Sequence, residues 1–554
     1  MKDAIPCLDV AGNNLPRLLN SRSALSPTFA SARKRAMDYF LIIDAGTGSG
    51  RVVVFDELGH QIAFSQREWR HMNLTGVSGA IDFDVAGNWK IIKDLIRDAL
   101  SKSGINPKQI KAITSTSMRE GIILYDEQGK EIWACSNVDA RAEKEVLFLI
   151  KQGFEKEIYE RTGQTFSLSD VPRLLWVKRN LPQIYEKIYT IGMISDWVIY
   201  KLSGQFRVEP SNVSTSGFFD TGRRCWSEDM LERLDFSEIV YPQVVEPGTV
   251  IGNILKQVAD EVGLAPATQI VMGGGDAQLG CIGVGAVKEF DTVILGGTFW
   301  QQEVNVQRLV PHPHGKIRIN CHAVPGLWQY EGISFLIGLV TRWFRDAFCQ
   351  QEKRIAEDLN ISAYAILSEQ AKNVPVGAHG IIPIFSDVMN YMHWKHAAPS
   401  LLNFDINEPE KYGKPAIFRA LMENAGFNCL GNLKEIAAAV NFYPKQITFA
   451  GGASYSSEWC KIMASVLGMR VRVPRVKEAT ALGAFICAAV GIGKYDSFDE
   501  AAKHVVKFEA TYDPDPEENT LYQELYQKWS SVYADMLKLS DAGLVRYMWK
   551  APGE

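Results

Sequence analysis

An aspartate that follows three glycines is well placed for acid–base chemistry. In "IVMGGGDAQLGCIGVGA", residues 270–286, an apolar strand ends in the glycines, and Asp276 stands where a helix should begin. One interpretation is a carboxylate that caps the helix. The other is a general base, because the glycines leave room for a ligand and the helix N-terminus should keep the carboxylate ionised. We favour the base, which would accept the proton of an alcohol that attacks a phosphoryl group.

A second candidate is a charged pair at a strand end. In "STSMREGIILYDEQG", residues 115–129, Arg119 and Glu120 are adjacent where the chain leaves a predicted strand. They could clamp a polyhydroxylated molecule, because a guanidinium donates hydrogen bonds and a carboxylate accepts them from hydroxyl groups. The alternative is a solvated surface pair. Asp139 and Arg141 in "CSNVDARA" repeat the pattern and leave the same alternatives open.

A glycine-rich stretch, "LIIDAGTGSGRVVVFDELG" at residues 41–59, joins two predicted strands. A Rossmann or P-loop turn must open a helix, whereas this loop opens a second strand. It is therefore either a simple hairpin turn or a cradle whose amides and hydroxyls face phosphates, with Asp44 holding a magnesium ion through water. The candidate residues of the loop are Asp44, Gly46, Thr47, Ser49 and Arg51.

The same pattern returns about 250 residues later. "FDTVILGGTFWQQEVNV", residues 290–306, is again a strand, a small-residue loop with Gly297 and Thr298, and a strand. The repetition predicts two related domains, 38–287 and 288–554, each of which presents one loop to a shared cleft.

The elements around these motifs define the predicted fold. Three strands in hairpin order, then a helix with apolar residues at helical spacing, then another strand, is the opening of a ribonuclease-H-like sheet. Near the end, "ITFAGGASYSSEWCKIMASVLG" runs from a strand through a small-residue loop into a helix. "EATALGAFICAAVGIG", residues 478–493, is a small-residue helix able to pack closely against a ligand or a backbone.

Composition excludes several classes of protein. A net charge of −5 over 554 residues gives no basic surface for nucleic acid, and no apolar stretch reaches the roughly 18 residues of a membrane span. The nine cysteines show no paired or zinc-like spacing, which indicates free thiols in a reducing compartment, so we expect a cytoplasmic protein. Residues 1–37 are rich in Ser, Ala, Asn and Pro, and we expect a disordered extension or an upstream start codon.

Together these stretches resemble the FGGY carbohydrate kinases, and the resemblance extends from about residue 38 over nearly the whole chain. "DAGTGSGR" and "GGTFW" are similar to the phosphate loops of the family, "SMRE" to its sugar-clamping strand end, "GGGDAQ" to its catalytic loop, and "AGGAS" with "EATALGA" to its adenosine-binding elements. The resemblance implies an α/β fold of two ribonuclease-H-like domains, as in actin-like ATPases, around a central cleft. It also implies ATP and Mg²⁺ as cofactors.

The resemblance also implies roles for individual residues. Asp276 would be the catalytic base, and Asp44 and Asp276 would bind magnesium. Substrate would contact Arg119, Glu120, Asp139, Asp276 and Gln278. The nucleotide and its phosphates would contact Gly46, Thr47, Ser49, Arg51, Gly297, Thr298, Gly451, Gly452 and Ala453.

Further stretches narrow the expected substrate. "IWACSNVDARAE", "MISDWVIYKLSG", "RWFRDAFC" and the terminal "WKAPG" are similar to family members that phosphorylate the terminal hydroxyl of a linear dihydroxypentanedione signal. Two alternatives stay open: a pentulose or glycerol kinase of the same family, and an actin-like structural or chaperone protein that uses ATP as a switch. We expect a small polyol or dione as the partner, no nucleic acid, no membrane, and a monomer or homodimer.

Overall fold

The computed structural model describes residues 37–69, 71–164, 167, 169–390, 393–476, 478–551 and 553–554. The predicted N-terminal extension therefore lies outside the described residues, except for Met37. Among the described helices, each is too short or too polar to cross a lipid bilayer.

The first half contains short strands as well as the strands of a central sheet. They are β1 (Tyr39–Ala45), β2 (Ser49–Asp56), β3 (Gln61–Glu68), β4 (His71–Asn73), β5 (Ile81–Phe83), β6 (Ile110–Ser117), β7 (Ile122–Tyr125), β8 (Glu131–Cys135), β9 (Thr190–Met193), β10 (Arg207–Val208), β11 (Phe219–Asp220), β12 (Cys225–Trp226), β13 (Gln243–Val244), β14 (Val250–Asn253) and β15 (Gln269–Gly275). Its helices are α1 (Val85–Ser103), α2 (Glu143–Lys151), α3 (Phe154–Thr162), α4 (Asp170–Asn180), α5 (Pro182–Tyr185), α6 (Ile194–Ser203), α7 (Pro210–Val213), α8 (Glu228–Arg233), α9 (Lys256–Val262) and α10 (Asp276–Gly283).

The second half has its own central sheet. Its strands are β16 (Thr292–Gly296), β17 (Trp300–Val306), β18 (Arg318–Cys321), β19 (Trp328–Ser334), β20 (Ile382–Ile384), β21 (Lys395–His396), β22 (Ser400–Leu402), β23 (Gln446–Gly451), β24 (Arg470–Pro474), β25 (Phe508–Tyr512) and β26 (Trp549–Lys550). Its helices are α11 (Ile337–Phe348), α12 (Gln350–Leu359), α13 (Ala363–Ala371), α14 (Lys414–Val440), α15 (Ser457–Leu467), α16 (Ala479–Gly491), α17 (Phe498–Val505) and α18 (Pro516–Asp541).

The first sheet has the strand order β14-β15-β6-β1-β2-β3. Strand β1 is antiparallel to β2 and parallel to β6, and β6 is parallel to β15. Parallel strands end at the same edge of a sheet, so the residues that follow β1, β6 and β15 meet there. These are the residues of the first glycine loop, the Arg119–Glu120 pair and Asp276.

The second sheet repeats this arrangement. Its order is β18-β19-β17-β16-β23-β24-β25, with β16 antiparallel to β17 and parallel to β23. Gly296 at the end of β16 is paired with Gly451 at the end of β23, so the second glycine loop and the "AGGAS" loop leave the sheet side by side. The predicted repetition of a ribonuclease-H-like sheet is confirmed.

The small-residue helix α16 belongs to the second half by sequence but covers the first sheet. Its Phe485 packs edge-on against Phe40 of β1, with ring centroids 4.9 Å apart, in a buried cluster that also includes Val271 of β15. It also crosses α10 with backbone against backbone. A Cβ on Gly483 would lie 1.7 Å from the Leu279 carbonyl oxygen, and one on Gly283 would lie 1.8 Å from that of Ala479. The predicted close packing against a backbone is observed, while the domain boundary at 287 stays a prediction.

Gly483→Ala tests this helix crossing. The added methyl group would overlap a main-chain oxygen, so α10 and α16 must separate, and we expect a loss of about 3 kcal/mol in stability. Thermal unfolding of the purified variant measures the loss. Gly452→Ala is the control, because a Cβ there meets no atom within 4 Å, and equal unfolding midpoints for the two variants would contradict the prediction.

Candidate active site

Two cavities meet at the edge where the loops of both sheets converge. The larger, of about 1220 Å³, is lined among others by Arg119, Glu120 and Arg318. The smaller, of about 370 Å³, is lined among others by the glycines of the two loops that leave the second sheet. Asp276 lines both cavities. A carboxylate in this position can reach a molecule bound in either.

Asp276 is the first residue of α10, and Gly275 takes the capping position. Its carboxylate accepts a hydrogen bond from the amide of Ala277 at 2.7 Å, and its carbonyl accepts one from the Thr480 hydroxyl at 3.2 Å. Burial raises the pKa of Asp276, and the positive charge of Arg119 opposes this effect. The expectation that the helix terminus alone keeps this carboxylate ionised was therefore incomplete. A raised pKa suits a group that takes up a proton.

The first glycine loop is a hairpin turn that an indole holds in place. The ring nitrogen of Trp69 donates a hydrogen bond of 2.6 Å to the Gly46 carbonyl. A Cβ on Gly50 would lie 2.3 Å from the same ring, so the lack of a side chain at this position lets Trp69 pack against the loop. Thr47 is exposed, and its hydroxyl accepts a hydrogen bond from Asn137 at 3.1 Å. Ser49 is buried in β2, where its hydroxyl accepts a hydrogen bond from Gln66 at 3.0 Å.

Near this loop, the carboxylate of Asp44 interacts with the charges of two other acidic residues, Asp276 and Glu478. Asp44 is buried, with Arg51 at 3.4 Å, and Arg51 also approaches Glu478 at 3.5 Å. Burial raises the pKa of Asp44 to about 7, with Asp276 and Glu478 adding to the rise and Arg51 opposing it. Such mutual repulsion of carboxylates is relieved by a hard cation, so the donor set fits magnesium that keeps several water ligands. No cluster of three or more metal-binding side chains occurs among the described residues.

In the predicted clamp, Arg119 and Glu120 each form an ion pair with a residue of the second sheet. Arg119 lies 2.7 Å from Glu331 of β19, and the Glu120 carboxylate accepts a hydrogen bond from Arg318 of β18. Arg318 in turn lies 3.5 Å from Glu331. The surface-pair interpretation of Arg119 and Glu120 was wrong, because Arg119 is only 6% exposed. Both partners come from the second sheet.

Sequence reasoning missed Arg318 and Glu331. Their partners are about 200 residues away in the chain, and neither stands in a motif. The available signal was charge within a strand: Glu331 is flanked by buried residues in "WQYEGIS" and is itself fully buried. A buried charge needs a partner, which marks such positions for inspection.

Two predicted substrate residues are held inside the protein. Asp139 lines the larger cavity, but its carboxylate accepts hydrogen bonds from Arg141 and from the Ile81 amide, both at 2.7 Å. Gln278 is fully buried, outside the lining of both cavities, and its amide has no hydrogen-bond partner among the described residues. Substrate contact by Asp139 and Gln278 stays a prediction.

The second glycine loop is exposed and lies against α11. Thr298 lines the larger cavity and Gly297 the smaller. The Thr298 carbonyl accepts a hydrogen bond of 3.1 Å from the Gly338 amide. Gly451 has φ of 109°, and a Cβ on it would lie 2.0 Å from the Gly296 carbonyl oxygen.

The residues after Gly451 complete the smaller cavity. Gly452 lines it and leaves open space above its Cα. Ala453 follows in a short 3₁₀ turn and is half-buried, outside the lining. The cavity thus combines an open loop surface with the N-terminal end of α16, where Ala479 and Thr480 lie.

Family models match both halves of the chain. The N-terminal domain of the FGGY family of carbohydrate kinases matches residues 39–283, and the C-terminal domain matches residues 305–492. The chain belongs to the FGGY family of carbohydrate kinases. A kinase of this family uses ATP, acts on a small sugar-like molecule, and has the two-domain actin-like fold described above.

Individual relatives of this FGGY kinase agree with the family. The chain is 48% identical to an autoinducer-2 kinase of Escherichia coli strain K12 over 518 residues, which are 93% of this chain and 98% of the relative. Its fold is similar to that of a xylulose kinase from Rhodospirillum rubrum, with a TM-score of 0.79 and 21% identity over 90% and 99% of the two chains. A glycerol kinase from Plasmodium falciparum, solved with ADP, gives a TM-score of 0.79 and 21% identity over 90% and 98%.

Asp44→Asn tests the raised pKa of Asp44 in this FGGY kinase through the pH dependence of stability. The folded protein holds a proton on Asp44 up to about pH 7, whereas the unfolded chain releases it near pH 4, so this group lowers stability as pH rises between those values. In EDTA, the variant should gain about 3 kcal/mol over the wild type at about pH 8 and almost nothing at about pH 4. Thermal unfolding across this range measures the difference, and parallel profiles would contradict the assignment.

Proposed function

We propose that this chain transfers the γ-phosphoryl group of ATP to the terminal hydroxyl of autoinducer-2, as the linear dihydroxypentanedione. The position of Asp276 at the boundary of two cavities carries the proposal. Support for the substrate comes from the 48% identity to an autoinducer-2 kinase over 93% of the chain. The phosphorylated product is a dianion and would be retained behind a membrane.

In this proposal substrate occupies the larger cavity and ATP the smaller. Asp276 orients the attacking hydroxyl and takes its proton as the oxygen bonds to the γ-phosphorus and ADP leaves, and the positive charge of Arg119 favours the ionised carboxylate that this step requires. The loops that contain Gly46 and Gly297 would lie beside the phosphates. Magnesium bound by Asp44 and Asp276 would supply charge neutralisation on the phosphates. Closure of the cleft excludes water, which would otherwise hydrolyse ATP.

The two alternatives are less well supported. A pentulose or glycerol kinase shares the fold, but the solved structures of that kind are only about a fifth identical to this chain. An ATP-switched structural protein has no use for a charged clamp beside a buried carboxylate. We further propose action in the cytoplasm, consistent with free thiols on the described cysteines, and either a monomer or a homodimer.

A substrate panel tests the proposed function. Purified protein is given ATP and Mg²⁺ with dihydroxypentanedione, ribulose, xylulose or glycerol, and ADP release is followed in a coupled assay. We expect the highest kcat/KM for the dione. A higher value for a pentulose or glycerol would replace the substrate, and ADP release unaffected by every compound would favour the ATP-switch alternative.

Asp276→Asn tests the assigned base. The amide keeps the shape of the side chain but cannot accept the proton, so turnover should fall by about 10² to 10⁴ while substrate binding is largely kept. Steady-state kinetics and calorimetric binding separate the two quantities. Turnover close to that of the wild type would remove Asp276 from the catalytic step.

A further inference from the structure

Arg318 is another arginine in the wall of the larger cavity, beside Arg119 and Glu120. Arg318 lies at the start of β18, lines the cavity and is 7% exposed. Its guanidinium donates a hydrogen bond to the Glu120 carboxylate and another to the side-chain oxygen of Gln164. It is thus held at the cavity wall by residues of the first half of the chain, beside the clamp.

The contact with Arg318 changes the strength of Glu120 as a hydrogen-bond acceptor. A carboxylate only accepts hydrogen bonds, so an unengaged Glu120 would select hydroxyl groups, which donate them. In this structure the carboxylate already receives a charge-assisted hydrogen bond from Arg318. A carboxylate has further lone pairs, so a hydroxyl group can still donate to Glu120, but the nearby guanidinium offsets its negative charge and makes it a weaker acceptor.

The other acids of the clamp are also held by neighbouring groups. Glu331 is fully buried and is engaged by both arginines, at 2.7 Å from Arg119 and 3.5 Å from Arg318. Glu303 stands opposite Glu331 on the neighbouring strand, and burial together with the charge of Glu331 raises its pKa well above the ordinary value. The cavity wall around the clamp therefore presents two guanidinium groups whose partner carboxylates are engaged.

A cavity wall that presents hydrogen-bond donors and positive charge discriminates between carbonyl and hydroxyl oxygens. A carbonyl oxygen only accepts hydrogen bonds and is stabilised by nearby positive charge, whereas a hydroxyl group at the same place also needs an acceptor for its hydrogen. A buried group left without its partner costs binding free energy, which makes such discrimination strong.

We propose that Arg318 is a specificity-determining residue, which selects a substrate with carbonyl oxygens at the clamp over the corresponding polyol. It does so by offsetting the negative charge of Glu120 and by presenting positive charge to the carbonyl oxygens. This inference rests on the proposed function, because it concerns the carbonyl groups of the same substrate.

The test compares two substrates that differ only at the carbonyl groups. One is dihydroxypentanedione, and the other is the deoxypentitol formed when both carbonyls are reduced to hydroxyls. For Arg318→Met we expect kcat/KM for the dione to fall about 10- to 100-fold, because a charged hydrogen-bonding partner is lost. The value for the deoxypentitol should stay level or rise, since Glu120 without Arg318 becomes a stronger acceptor for hydroxyl groups.

Two further variants guard the interpretation. Arg318→Lys keeps the positive charge opposite Glu120 but loses the planar guanidinium, so this variant should fold. We expect it to lower the preference for the dione less than Arg318→Met does. If Arg318→Met does not fold, the result for Arg318→Lys decides the test. Lys316→Met is the matched control, because Lys316 stands two residues earlier, is paired with Glu435 at 2.6 Å, and is outside the cavity lining. The control should keep the wild-type preference.

The outcomes separate this inference from the proposed function. If the wild type phosphorylates the dione but the arginine variants lose both substrates in equal proportion, or keep the wild-type ratio, the role of Arg318 is refuted. If the wild type does not phosphorylate the dione at all, the proposed function fails first. A fall in the ratio with Arg318→Met and Arg318→Lys, but not with Lys316→Met, supports the inference.

Discussion

The contact between the backbones of α10 and α16 is the constraint on which the active site depends. Gly283 and Gly483 let the helices approach until a Cβ on either would overlap a carbonyl oxygen of the other helix. At this separation the Thr480 hydroxyl reaches the Asp276 carbonyl, and the N-terminal end of α16 forms part of the smaller cavity. The Asp276 carboxylate is thereby fixed relative to the smaller cavity by the main chain, which shifts less readily than side chains.

The ion pairs made by Arg119 and by Glu120 both cross between the two halves of the chain. Arg119 and Glu120 follow the first sheet, whereas Glu331 and Arg318 belong to the second. Separating the halves would leave buried charges unpaired, which is costly. Asp44 and Asp276 differ from the clamp, because burial raises their pKa values and the nearby arginines only oppose the rise.

Local patterns predicted the elements of this structure better than the contacts between them. The two strand–loop–strand repeats, the strand end at Arg119 and the helix that begins at Asp276 follow from glycine spacing and apolar periodicity, which act over a few residues. The partner of Gly50 is Trp69, the partners of the clamp are about 200 residues away, and α16 covers the sheet of the other half. Such pairings depend on topology, and no residue type or spacing near either member encodes them.

The placement of α16 also constrains the order in which the chain can fold. One face of the first sheet, including Phe40 and Val271, is covered by α16 and α17, whose residues lie within 479–505. During synthesis this apolar face therefore leaves the ribosome roughly 200 residues before the helices that cover it. The nascent first half must persist with exposed apolar surface, a condition that favours association with chaperones or aggregation. The hydrophobic core on this face of the first sheet is therefore completed only once residues 479–505 have been synthesised.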